Sequence, residues 1–166
     1  LLADAKNVQP KDLTACVLKR DRHKKIISSL KQMNVKIQFI SDGDVSGVIT
    51  VIDKKSPVDI YLGVGGGPEG VLAAAALACF GGQMQTRLVL DASEEKRAKN
   101  LGIIDVKKKY NIDDMIKGDV MFCASGVTDG DLVDGIKDKG ETYLASTYAL
   151  HRNTNTCKKI TNIHKK

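Results

Sequence analysis

The chain has no tryptophan, only three phenylalanines and only four tyrosines in 166 residues. So few rings offer little for stacking against bases. That shortage weighs against the nucleic-acid role that a net charge of +6 would otherwise suggest. The lysines are also dispersed, with short clusters only at Lys107–Lys109 and Lys165–Lys166. A solvated basic face is the plainer reading, and it would suit a small anionic ligand. CxxC pairs are lacking too: Cys16, Cys79, Cys123 and Cys157 stand apart, which excludes zinc-site spacing. The first three lie in apolar segments, where a reduced cysteine behaves as a small hydrophobe. No apolar run reaches membrane-spanning length and no secretory leader is visible. We therefore expect a cytoplasmic protein with neither nucleic acid nor membrane as partner. The chain opens on Leu1 rather than Met, so a fragment or a processed product is expected. At this length it is one domain or part of a larger one, with no internal repeat, low-complexity tract or long linker.

What is present alternates strand and helix. Thr14–Leu18 (TACVL) is a short apolar strand. Ile26, Ile27, Leu30 and Met33 recur at helical spacing across His23–Met33. Val35–Ile40 alternates as a strand and ends at Ser41-Asp42-Gly43-Asp44. Val45–Ile52 follows as a β-branched helix that Pro57 closes off. Asp59–Val64 is a strand. Pro68 suits a first helical turn, the helix runs on through Val71–Cys79, and Gly81-Gly82 stop it. Met84–Leu90 is the next strand, and Ser93 with Glu94 and Glu95 reads as a capped helix start running to Leu101. Asp113–Lys117 is a short helical turn and Val120–Ala124 a strand. Glu141–Leu150 and Thr156–Ile163 form two C-terminal strands, read as antiparallel neighbours. The class is α/β, and in open α/β sheets ligands bind just past the carboxyl ends of strands.

Three strand ends carry the polar motifs. After the first comes Arg20-Asp21-Arg22-His23. Two guanidiniums near a helix start make a phosphate clamp, because arginine offers planar bidentate donors; the plain alternative is a charged loop. After the second comes Asp42-Gly43-Asp44, whose acids can accept sugar hydroxyls or ligate a metal, or form an ordinary turn with a helix cap. The third is the glycine loop Gly65 to Gly70. Gly65, Gly67 and Gly70, with Asp91 some twenty residues on, match the dinucleotide fingerprint. Glu69 conflicts with that match. Two unit charges about 4 Å apart at an effective dielectric near 20 repel by roughly 4 kcal/mol, whereas a helix terminus stabilises an anion by only about 0.3–2 kcal/mol. A phosphate there needs a cation beside Glu69, or Glu69 must point away; a divalent metal would reverse the sign of the problem. The alternative is a glycine-rich turn with an acid stabilising the helix dipole.

The segments LKRDRH, FISDGDVSGVI, DIYLGVGGGPEGVLAAAALACFGGQMQTRL and SGVTDGDLVDGI resemble the class II fructose-1,6-bisphosphatases. These are metal-dependent, lithium-sensitive sugar phosphatases related in fold to inositol monophosphatase. The resemblance spans Thr14 to Ile163. It implies the substrate-binding C-terminal half of such an enzyme: a layered sheet-and-helix sandwich, with a mixed sheet and C-terminal strands. It further implies hydrolysis of the 1-phosphate of fructose 1,6-bisphosphate, with Mn²⁺ or Mg²⁺. The family's basic segment falls on Arg20, Asp21, Arg22 and His23, with Asp21 replacing its usual proline, and supplies phosphate contacts. Its Asp-Gly-Asp falls on Asp42 and Asp44 and contacts the sugar. Its Gly-Gly-Ala-Pro-Glu-Gly loop falls on Gly65 to Gly70, with Gly67 in place of alanine; Gly66 falls among the substrate contacts and Glu69 on a metal ligand. The family chain is about twice as long, and its N-terminal half carries most of the metal ligands.

Residues 1–166 are therefore expected to be the substrate-binding portion, with no catalytic residue of their own and inactive without the N-terminal half. A sugar bisphosphate, that half and a homo-oligomeric arrangement are the expected partners. Two rivals stand beside this reading: a nicotinamide-dependent dehydrogenase domain using Gly65, Gly67, Gly70 and Asp91, and a non-catalytic sugar-phosphate-binding module. Ser125 to Gly130 is expected to be a structural turn.

Overall fold

The computed structural model describes residues 1–130 and 132–166. Asp131, within the family-like SGVTDGDLVDGI segment, lies outside the described residues. The chain divides into two compact units, Leu1–Ala73 with Thr86–Lys109 and Ala74–Gln85 with Tyr110–Lys166.

The first unit is built on a three-stranded parallel sheet. A short helix α1 (Leu2–Lys6) precedes β1 (Thr14–Leu18), and α2 (Lys24–Gln32) leads to β2 (Lys36–Ile40). Helix α3 (Asp44–Ile49) then leads to β3 (Ile60–Tyr61). The strand order is β2-β1-β3, so β1 is central. That position explains its unbroken apolar sequence, because a parallel strand covered on both faces cannot alternate; Ala15, Cys16 and Val17 are fully buried. β2, at the edge, is less covered, with Lys36 and Phe39 exposed and its other residues half-buried.

Right-handed crossovers fix where the helices go. The chain steps from β1 to one side and then across to the other, so α2 and α3 must cover opposite faces. Ala15 and Val17 with Leu30 of α2 form one core, joined by Ile26, Ile27, Val35, Ile37, Ile60 and Leu62. Strand side chains alternate between faces, so Ile40 and Tyr61 point the other way, and there they meet α3: a methyl group on Gly47 would stand 2.6 Å from Ile40 Cδ1 and 2.9 Å from the Tyr61 ring. Asn34, in the left-handed conformation (φ 57°), ends α2, with the Val35 amide returning to the Leu30 carbonyl. Asp59 ties the lower end of the sheet together. Its carboxylate accepts the Thr14 N–H at 2.7 Å and pairs with Lys6. Burial raises its pKa, and these donors outweigh that and hold it below the usual carboxylate value.

Helix α4 (Gly67–Phe80) begins in the first unit and ends in the second. After it come β4 (Gln85–Arg87), α5 (Ala92–Asn100), β5 (Lys109–Asn111) and α6 (Ile112–Met115). The strand expected over Met84–Leu90 is thus cut to three residues, and Val89 is exposed rather than core. The cap of α5 is Asp91, not Ser93. Its carboxylate accepts the Ser93 and Glu94 amides at 2.8 Å, while Glu94 returns to the Asp91 amide, forming a capping box.

In the second unit, β8 (Thr142–His151) is central. β9 (Thr156–Lys165) pairs with it antiparallel over its whole length, as the sequence suggested. β6 (Met121–Ser125) and β7 (Lys137–Asp138) share its other edge. Parallel and antiparallel strands therefore occupy separate sheets. The end of α4 packs here through Phe80, stacked on Tyr148 at 6.4 Å. Cys79 is buried, whereas Cys123 and Cys157 are exposed, so Cys123 does not behave as the core hydrophobe its apolar strand suggested.

Candidate functional site

The C-terminal ends of β2, β1 and β3 lie side by side, so the three motifs emerge along one edge. With the order β2-β1-β3, the winding reverses between β1 and β3, where an open α/β sheet forms its ligand crevice.

From β1 comes the basic segment. A 3-10 turn over Asp21–His23 leads it into α2. Arg22 Nε donates to the Val64 carbonyl at 2.5 Å. A guanidinium has five N–H donors, and its four terminal ones have no protein partner among the described residues. Arg20 stands 3.9 Å from Asp42, a solvent-exposed pair of small energetic consequence. His23 departs from the expectation of a phosphate contact. It is completely buried and so cannot touch a ligand in the crevice. Its Nδ1 lies 2.6 Å from the Leu18 carbonyl, and its Nε2 lies 2.9 Å from the Val64 nitrogen and 3.1 Å from the Val64 oxygen. A carbonyl only accepts, so Nδ1 carries the proton. Nε2 then accepts the Val64 N–H, and the Val64 oxygen is served by Arg22.

From β2 comes the acidic turn. Gly43 has φ 74°, a left-handed conformation that strains any residue with a Cβ. It starts α3 with Asp44 as first residue. Asp42 accepts its neighbour's amide and is almost fully exposed. Asp44 reaches toward the glycine loop: a methyl group on Gly65 would stand 3.2 Å from its Oδ2.

From β3 comes the glycine loop. Pro68 and Glu69 sit in the first turn of α4. The Glu69 carboxylate folds back over the loop, so that a Cβ on Gly66 would lie 2.2 Å from Oε2. A side chain at Gly66 would make that carboxylate move aside. Tyr61, which sequence reasoning did not single out, belongs to the same neighbourhood. Burial, and then the Asp44 charge, push its phenol up to about 12, while Arg22 acts against them. The usable signal was alternation: as the residue after Ile60 at the end of β3, it had to face α3 and the acidic turn.

The edge thus carries cationic Arg20 and Arg22 beside anionic Asp42, Asp44 and Glu69. A ligand bearing only negative charge would be repelled over half of it, whereas a phosphate joined to hydroxyls, with a cation near Glu69, is complemented throughout. Among the described residues no group of three or more His, Cys, Asp or Glu could hold a metal ion, and Glu69 offers a single carboxylate. The dinucleotide reading loses its acid, because Asp91 is committed to capping α5. In the turn after β6, Asp129 accepts the Gly135 amide at 2.9 Å and pairs with Lys137 at 2.6 Å.

Residues 1–164 match the family described as "Bacterial fructose-1,6-bisphosphatase, glpX-encoded". A protein named fructose-1,6-bisphosphatase class 2 from Haemophilus influenzae is 35% identical, covering 92% of this chain and 50% of its own length. Two proteins named D-fructose 1,6-bisphosphatase class 2/sedoheptulose 1,7-bisphosphatase are similarly related. The one from Prochlorococcus marinus is 33% identical over 100% of this chain and 54% of its own. The one from Gloeobacter violaceus is 30% identical over 99% of this chain and 51% of its own. The chain spans about half the length of these curated relatives. A family model matched over residues 1–164, with relatives 30–35% identical over nearly the whole chain, leads to one conclusion: the chain belongs to the glpX-encoded, class 2 fructose-1,6-bisphosphatase family.

Proposed function

We propose that this chain is the substrate-binding portion of a fructose-1,6-bisphosphatase, which hydrolyses the 1-phosphate of fructose 1,6-bisphosphate to leave fructose 6-phosphate. In the whole protein it would be joined to a metal-binding N-terminal half. The observation that carries this reading is the convergence of Arg22, Asp44 and the Gly66–Glu69 loop on one sheet edge. Arg20 and Arg22 would hold the phosphate that is not cleaved, Arg22 with its terminal N–H donors. Asp42 and Asp44 would accept sugar hydroxyls. Gly66 keeps the loop backbone bare, so that the sugar can approach and the Glu69 carboxylate can lie across it.

Glu69 would complete a divalent metal site, Mn²⁺ or Mg²⁺, whose other ligands come from outside this chain. When bound, that metal supplies an activated water and neutralises charge on the transferred phosphoryl group. The contribution of this chain is orientation: it fixes the sugar by its remote phosphate and hydroxyls, so that the reacting phosphate is held in line. The reading places the protein in the cytoplasm, in gluconeogenesis, as a homo-oligomer. Two relatives are also named for sedoheptulose 1,7-bisphosphatase, and a sugar one carbon longer presents similar groups to the same edge.

The test is phosphate release by the full-length protein from fructose 1,6-bisphosphate with Mn²⁺ or Mg²⁺, alongside the 166-residue chain alone. Metal-dependent release by the former and none by the latter is expected. A full-length protein inactive with both metals would overturn the assignment, and release by the isolated chain would overturn the division of labour.

A further inference from the structure

We infer that His23 is a positioning residue of this site: its buried imidazole replaces a rung of the β1–β3 ladder, holds the crevice open there and sets the place of the glycine loop. The inference deepens the proposed function and rests on it where ligand binding is concerned.

The register supplies the argument. Cys16 is opposite Tyr61, and the Leu62 amide bonds to the Cys16 carbonyl at 3.0 Å. In a parallel ladder the next rung lies two residues on along both strands, so Val64 N–H should reach the Leu18 carbonyl directly. It does not. The imidazole stands between them, donating from Nδ1 to Leu18 and accepting from Val64 at Nε2. Both backbone groups keep a hydrogen bond, but to the ring between them rather than to each other. This happens between β1 and β3, where the winding reverses and a ligand crevice is expected. Arg22, one residue earlier, takes the Val64 carbonyl. The segment after β1 therefore grips both polar groups of Val64, the residue immediately before Gly65 and Gly66. A loop of consecutive glycines has little conformational preference of its own, so its position is inherited from that grip.

The two ring nitrogens can be tested separately in the full-length protein. In His23→Asn the shorter amide reaches only the Leu18 carbonyl. In His23→Gln the longer amide can present its oxygen near the Nε2 position and keep the Val64 N–H. Loss of the Val64 bond should raise KM for fructose 1,6-bisphosphate about tenfold in the asparagine variant, and the glutamine variant should stay within about threefold of the parent. If both variants lose melting temperature and active fraction with KM unchanged, His23 is merely structural and the inference falls.

A second readout needs neither activity nor a variant. In ¹⁵N-labelled protein, a through-hydrogen-bond coupling between the Val64 amide nitrogen and His23 Nε2, with the proton on Nδ1, is expected. A protonated Nε2 without that coupling would overturn the inference, whatever the protein hydrolyses. A full-length protein that shows the coupling but no phosphatase activity would instead sink the proposed function and leave the His23 bridge standing.

Discussion

The acids around the antiparallel sheet and those at the edge of the parallel sheet are used in opposite ways. Around the antiparallel sheet, Asp119, Asp129, Asp134 and Asp138 meet His151, Lys137, Lys159 and Lys166 at 2.7, 2.6, 2.7 and 2.8 Å. The hydrogen bond from each partner holds the carboxyl below its usual pKa. At the edge of the parallel sheet, Asp42 is 3.9 Å from Arg20 and Asp44 turns to the Val45 amide at 3.1 Å. Glu69 has no ion pair or hydrogen bond among the described residues. An acid matched by its own neighbours serves the fold. A set of acids and arginines left with unused donors and acceptors along one edge is where local consistency gives way to binding.

Removing the least-matched acid should produce the largest effect. In the full-length protein, Glu69→Gln should lower kcat by about 100-fold or more with little change in KM, since in its proposed role as a metal ligand it would contribute chiefly in the transition state. Steady-state kinetics at saturating Mn²⁺ or Mg²⁺ check this, and an unchanged kcat would place Glu69 with the structural acids. Gly66→Ala should act in the same direction, because its methyl group displaces the Glu69 carboxylate.

Arg22→Ala comes next, with KM raised about 10- to 100-fold as a charge-assisted contact is lost. Lysine should restore little of it, since it lacks the fork that reaches Val64 and a phosphate together.

A smaller effect follows from Tyr61, whose phenol is raised to about 12. Below about pH 10 both folded and unfolded chains keep the proton and nothing is lost. As pH rises toward 12 the unfolded state releases it first, so stability falls, by on the order of 2 kcal/mol. Denaturant titration across that window should show the loss in the parent and less of it in Tyr61→Phe; identical curves would sever Tyr61 from its buried, Asp44-facing setting. The smallest effect belongs to the antiparallel sheet. Lys159→Ala, which breaks the pair with Asp134, should leave kcat and KM within about twofold and the melting midpoint nearly unmoved, as expected of a surface pair. A large kinetic change there would dissolve the contrast between the two sets of acids.

Much of this was legible beforehand. TACVL reads as a short apolar strand, and β1 spans Thr14–Leu18 as read. The antiparallel pairing of the last two strands and the helix behind Pro68 were equally plain. The misses share a cause. The strand expected over Asp59–Val64 shrinks to Ile60–Tyr61, because the hydrogen bonds of Val64 go to His23 and Arg22 instead of to the ladder, and those side chains lie some forty residues away in the chain. Asp91 looked like a ribose acid or a plain strand end, and its capping role emerges only from the orientation of its carboxylate toward the Ser93 and Glu94 amides. Cys123 looked buried because β6 is apolar in sequence, yet it lies on an exposed face.

By itself the sequence determined which residues stand at the ends of the strands, and through Glu69 it set the condition that a phosphate at the start of α4 needs either a cation beside that carboxylate or a carboxylate turned away. Those are matters of residue type, spacing and Coulomb's law. Tertiary structure alone decided which of those ends meet. The strand order β2-β1-β3 sets Arg22 against Val64 and Asp44 beside Gly65, and it turns His23 from a supposed phosphate contact into a buried bridge. Local pattern specifies each element, but hydrogen-bond partners and burial depend on what the chain brings alongside from elsewhere.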